Sequence, residues 1–119
     1  MRYLIIRPGA LGDLLVLRSA LGLIRYHDPE SHITLIGDGK KVFFLKQRGW
    51  VDSAMDYHHK SCTYLFSDNP EDEPPQEFSF LKAVDIAVCY LKDEDERVRR
   101  NLIKVGARNV LIHFSRPEP

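Results

Sequence analysis

The sequence is poor in sulfur residues and tryptophan, with Cys 2, Met 2 and Trp 1 in 119 residues. Cys62 and Cys89 lie in different contexts and make no disulfide framework, so a reducing cytoplasm is the expected compartment. Cys62 follows His58 and His59 closely. No second Cys pair stands nearby to complete the four ligands that structural zinc requires, and no metal site is expected. An excess of one charge is also missing: Lys plus Arg and Asp plus Glu are both 17, a formal net charge of +0. No overall field therefore draws the molecule to nucleic acid or to an acidic membrane, and any anion site must be local. No long apolar run is present, which argues against a signal peptide and a transmembrane helix. There is no repeat at fixed period.

What the chain does contain is enough apolar material for one packed domain over residues 1–119, with 44% hydrophobic and 29% charged residues. A chain of this size buries roughly two-thirds of its unfolded surface. YLIIR at 3–7 is a continuous apolar run, the pattern of a strand buried on both faces of a parallel sheet. From Asp13 to about His27, Leu14, Leu17, Leu21 and Ile24 recur at helical spacing, and Asp28-Pro29 ends the pattern. HITLIG at 32–37 reads as a strand, Lys40 to Arg48 as a short helix, and Val51 to Tyr57 as a weaker strand. Residues 58–77 break the alternation. Within them DNPEDEPPQE, 68–77, combines prolines and acids and reads as a loop or insertion.

The pattern resumes with a strand at 84–90, a helix over 93–107 stopped by Gly106, and a fifth strand at 109–114. Alternation at this interval predicts βαβ units. The expected fold is α/β, a Rossmann-like three-layer sandwich with a mostly parallel sheet of about five strands.

In such a sheet, ligands gather at the carboxyl ends of the strands, where helix N-termini point free N–H groups. RPGALGD, residues 7–13, falls there. Gly9 and Gly12 either serve a tight turn alone or also let a ligand approach the main chain. The segment lacks the Lys-Ser/Thr of a phosphate-binding P-loop and the third glycine of the dinucleotide fingerprint. Asp13 would repel a phosphate at the helix end, so a dehydrogenase or ATPase is disfavoured and no cofactor is expected. Asp13 is placed either as an N-cap or as a general base facing a ligand, and one carboxylate can do both. Arg7, at the carboxyl end of the first strand, is the basic residue best placed to bind.

RYLIIRPGALGDLLVLRSALGLIRYHDPESHITLIG, residues 2–37, resembles the opening of the family-9 glycosyltransferases, the lipopolysaccharide heptosyltransferase group. The shared elements are an apolar strand, a G-A/S-x-G-D turn, a Leu-rich helix, a Pro-containing turn and a second strand. Residues 48–57, 84–90 and 105–111 fall where that family has its later strands and its Gly-Ala turn. The resemblance implies one half of a GT-B architecture, two Rossmann-like domains facing a cleft in a bacterial cytoplasmic enzyme. It implies that this domain receives a lipid-linked saccharide acceptor, with Arg7, Gly9, Ala10 and Gly12 in the acceptor turn and Asp13 as catalytic base. A nucleotide-sugar donor such as ADP-heptose would bind a C-terminal domain, in an inverting, metal-free reaction. Peripheral contact with the inner face of the membrane is implied too, and no nucleic-acid partner. The chain reaches Pro119 where the first domain of that family would still be finishing. The donor-binding half is therefore expected to be missing and the chain to be inactive alone. A stand-alone Rossmann-like ligand-binding or interaction module without catalysis is the alternative.

Lys40, Lys41, Lys46 and Arg48 form a basic cluster that reads first as a solvated helix face and second as a contact for acceptor phosphates. Arg97, Arg99, Arg100 and Lys104 read as surface charge pairing with acids earlier on the same helix. Phe43, Phe44 and Trp50 read as core rather than as a sugar platform, and His58 and His59 as ordinary loop residues.

Overall fold

Leu4, Ile5 and Ile6 are all buried, because the strand they form lies in the middle of the sheet with helices on both of its faces. The computed structural model describes residues 1–7, 14–67, 74–91 and 96–112. Its strands are β1 (Arg2–Arg7), β2 (His32–Gly37), β3 (Ser53–Asp56), β4 (Ile86–Cys89) and β5 (Asn109–Ile112). Its α-helices are α1 (Leu14–His27), α2 (Gly39–Gln47) and α3 (Arg97–Val105). The strands form one five-stranded sheet in the order β3-β2-β1-β4-β5, and every neighbouring pair is parallel. The α/β Rossmann-like fold follows.

Side-chain alternation along β1 separates two cores. Ile5 packs with Leu17 and Leu21 of α1, Val42 and Leu45 of α2, and Ile33 and Leu35 of β2. Leu4 and Ile6 point the other way, into a larger cluster with Phe78, Leu81, Val98, Leu102 and Val110. This division is what parallel crossovers of one hand dictate. The chain moves from β1 to β3 with its helices on one face, then returns past β1 and moves outward through β4 and β5 with its helices on the other.

The start of β3 is tied to its surroundings by Asp52. Its Oδ2 accepts hydrogen bonds from the Ile33 N–H at 2.8 Å and from Arg25 Nη2 at 2.8 Å. Partial burial alone would raise the pKa of this carboxyl, but those two donors outweigh it and hold the pKa below the ordinary value.

The break in the alternation over 58–77 is not all loop, and most of the loop or insertion expected at 68–77 lies outside the described residues. Lys60–Phe66 and Gln76–Ala83 are 3-10 helices flanking residues 68–73, which lie outside the described residues. The first contributes buried Cys62, Tyr64 and Leu65, and the second buried Phe78 and Leu81. The prolines and acids that argue against regular structure are clustered between these helices, so they mask the apolar residues on either side. Asn101 of α3 joins the two regions. Its buried side chain donates from Nδ2 to the carbonyls of Tyr64 at 3.1 Å, Leu65 at 2.9 Å and Ser67 at 2.9 Å. One amide thereby serves three carbonyls at and just beyond the end of the short helix, where backbone acceptors outnumber helical donors.

Other bounds shift by a few residues. The strand expected over 51–57 contracts to Ser53–Asp56, although Val51 stays in the core. The helix expected from 93 is described from Arg97 and stops at Gly106, whose φ of 130 suits glycine. Among the described residues no helix is long and apolar enough to cross a membrane.

Candidate functional site

The strand order sets where a ligand can sit. Connections leave β1 toward one edge of the sheet and leave β4 toward the other, so the carboxyl ends of these neighbouring strands border a crevice. Arg7 is the last residue of β1, and Tyr90 follows β4 directly. The Tyr90 N–H donates to the Ile6 carbonyl at 2.8 Å, extending the β1–β4 pairing to the edge of the crevice. The Arg7 guanidinium carbon lies 5.4 Å from the Tyr90 ring centroid. Both residues are half-buried. A cation over an aromatic face is attracted by the ring quadrupole. The ring thereby helps to orient the Arg7 guanidinium at the end of β1.

The adjacent strand ends carry carboxylates. Gly37 pairs in register with Arg7, and Asp38 follows it at the entry to α2 without capping that helix through its side chain. Asp56 ends β3, where its Oδ1 accepts the His58 N–H at 2.9 Å. Its other oxygen lies against Gly39, where a Cβ atom would stand only 2.6 Å from Asp56 Oδ2. Glycine at 39 is therefore what lets the Asp56 carboxylate approach the first turn of α2, where the helix dipole favours negative charge.

Of the residues expected to act, Arg7 is the last residue of β1 and is half-buried. Gly9, Ala10, Gly12 and Asp13 lie outside the described residues. Described structure resumes at Leu14 with α1. Lys40, Lys41, Lys46 and Arg48 are all exposed. Phe43 and Phe44 depart from the core expectation: each is about half exposed, since Val42 and Leu45 take the buried side of this short helix. Trp50 is half-buried against the α1–α2 core, with Arg18 over its ring at 5.2 Å. Arg97 also departs from the surface reading, being half-buried with Nη1 donating to the Phe66 carbonyl at 3.3 Å.

Cys62 sits in the core, with Sγ 3.6 Å from the Asp56 carbonyl and 3.9 Å from Met55 Sδ. Burial, reinforced by the Asp56 charge, pushes its thiol up to about 11. Tyr57 is shifted upward in the same way, by burial and then by Cys62. These are groups held neutral. Among the described residues no group of three or more His, Cys, Asp or Glu gathers as a metal site.

Tyr90, Asp38 and the Gly39–Asp56 approach are not singled out by sequence pattern. Each stands at or just beyond a strand's carboxyl end, and that position becomes informative once the strand order shows which ends are neighbours.

No protein-family model matches the chain, and no curated protein matches it. Among solved structures, it is similar to one described as the crystal structure of the glycosyl transferase family 9 from Veillonella parvula DSM 2008. The likeness covers 98% of this chain and 36% of that one, at 19% identity and a TM-score of 0.55. The chain thus spans little more than a third of that protein's length, and at this identity what the two share is the Rossmann-like α/β fold.

Proposed function

We propose that these residues form the acceptor-side domain of an inverting glycosyltransferase of the family-9, heptosyltransferase-like kind, active only together with a donor-binding domain. The observation that carries this reading is the fold likeness to a family-9 structure over nearly the whole chain. The G-A-L-G-D turn at 9–13, between a central strand and the helix that follows it, supports the same reading.

In this proposal a lipid-linked saccharide enters the crevice at the carboxyl ends of β1 and β4. Asp13 accepts the proton of the acceptor hydroxyl as its oxygen attacks the anomeric carbon of the donor sugar. The bond from that carbon to the donor phosphate breaks, and the nucleoside diphosphate leaves with the electron pair on the face opposite attack, inverting the centre. Arg7, held over the Tyr90 ring, orients an anionic or hydroxyl-bearing part of the acceptor. Gly9, Ala10 and Gly12 bring the main chain close to it. The donor, of the ADP-heptose type, occupies the second domain, and the reaction takes place at the cytoplasmic face of a bacterial membrane in lipopolysaccharide assembly.

The test is sugar transfer by the full-length protein and its Asp13→Asn variant. Loss of a positioned base should lower kcat by about 10²-fold or more. Undiminished transfer by Asp13→Asn would remove the base role.

A further inference from the structure

The chain is neutral as a whole, but its charge is not evenly spread. The segments LLVLRSALGLIRYH of α1 and GKKVFFLKQ of α2 contain no acidic residue. They carry Arg18, Arg25, Lys40, Lys41 and Lys46, and Arg48 follows α2 directly. Both helices pack on the same face of the sheet through a shared core, so these cations belong to one helix layer. Arg25 is engaged by Asp52, while Arg18, Lys40, Lys41, Lys46 and Arg48 are exposed.

The same layer exposes apolar side chains. Leu23 is 60% exposed, Tyr26 80%, Phe43 51% and Phe44 50%. These are four of the seven large hydrophobic residues that stand exposed among the described residues. On α1, Leu23 and Tyr26 are three positions apart and share a side of the helix. On α2, Phe43 and Phe44 fall within a turn of Lys40, Lys41 and Lys46, and Arg48 lies 5.2 Å over the Phe44 ring.

We infer that the α1–α2 layer is a docking face for an anionic lipid surface. Helices that combine basic residues with exposed Leu, Tyr and Phe suit the headgroup boundary, where cations meet lipid phosphates and apolar side chains leave water. Nucleic acid would satisfy the cations but leave Leu23 with nothing apolar to bury against. A second copy bound face to face would set one basic layer against another. The amino end of α2, with Lys40 and Lys41 in its first turn, adjoins the carboxyl end of β2. This face therefore borders the same edge of the sheet as the crevice. The inference deepens the proposed function by naming the surface that meets the membrane. It rests on that reading only for the lipid-linked acceptor.

The experiment is vesicle flotation of the full-length protein. Vesicles of phosphatidylcholine alone are compared with vesicles that also contain phosphatidylglycerol. The protein should float with the anionic vesicles, with binding that weakens as salt is raised. Lys40→Glu with Lys41→Glu should weaken binding by about tenfold or more, and Phe43→Ser with Phe44→Ser should weaken it at low and high salt alike. Lys104→Glu, on the opposite helix layer, should leave it unchanged. Circular dichroism and thermal melting of each variant separate lost binding from lost folding. No flotation by the parent, equal flotation with both vesicle types, or unaltered binding by both folded double variants would overturn the inference. Retention on DNA or RNA without flotation would overturn it in favour of nucleic acid. Flotation requires neither donor nor Asp13, so its failure and a failure of the transfer assay are distinct.

Discussion

Arg7 ends β1 and Tyr90 directly follows β4, 83 residues on, yet the β1–β4 pairing sets the guanidinium carbon 5.4 Å from the ring centroid. The ring holds the charge at the crevice. A double-mutant cycle of Arg7→Ala and Tyr90→Ala, followed by denaturant unfolding, should give a coupling of about 0.5–1 kcal/mol. Tyr90→Phe should retain most of it. Strictly additive effects would show that the two side chains do not interact.

Asn101 should be among the costliest positions to truncate in α3. Asn101→Ala leaves the carbonyls of Tyr64, Leu65 and Ser67 without the amide that serves them, in a region closed to solvent. The loss should be about 2–4 kcal/mol in unfolding free energy. Hydrogen exchange should rise around 60–67 and in α3 together, because one side chain links them.

Gly39→Ala should destabilise through a single neighbour. The new Cβ would meet Asp56 Oδ2 at 2.6 Å, so the cost should be about 1–3 kcal/mol. Asp56→Gly on the same background should recover most of it, as read from paired melting curves. A similar cost in both backgrounds would mean that the helix rather than the carboxylate resists the methyl group.

Alkaline pH should weaken the fold through Cys62. Its folded pKa is raised from 9.0 to about 11, so the thiol's contribution is fully present below about 9 and is lost as pH rises through about 11. Tyr57, raised for a similar reason, acts in the same direction. Stability measured across this range should fall less steeply in Cys62→Ala than in the parent. At neutral pH both thiols should react with Ellman's reagent only after denaturant is added, since Cys62 and Cys89 are buried.

Much of this fold is legible in the sequence because buried parallel strands announce themselves. LIIR and HITLIG have no competing reading as surface elements, and Gly106 stops its helix where a left-handed angle is needed. The 3-10 helices were hidden by composition: prolines and acids at 68–77 obscure Leu65 and Phe78, whose burial depends on β1 and α3 rather than on local periodicity. At the site, Arg7 is readable from its place at a strand end. Tyr90 is not, because its partnership with Arg7 arises only when β4 rather than β3 takes the second side of β1. Phe43 and Phe44 mislead for a related reason. Their spacing fits a buried stripe, but a nine-residue helix has one buried side, and Val42 and Leu45 occupy it.

The central place of β1 has a consequence for synthesis. β1 is made first, and β2 can cover one of its edges once His32–Gly37 has left the ribosome. The other edge waits for Ile86–Cys89, and the hydrogen bond from the Arg2 N–H to Asp85 Oδ2, at 2.8 Å, closes a separation of 83 residues. Until then the nascent chain carries an apolar strand with an open edge, the kind of surface that chaperones bind and that aggregation exploits. Slowing translation between β2 and β4 should lengthen that exposure, so the order of the strands makes elongation rate a determinant of yield.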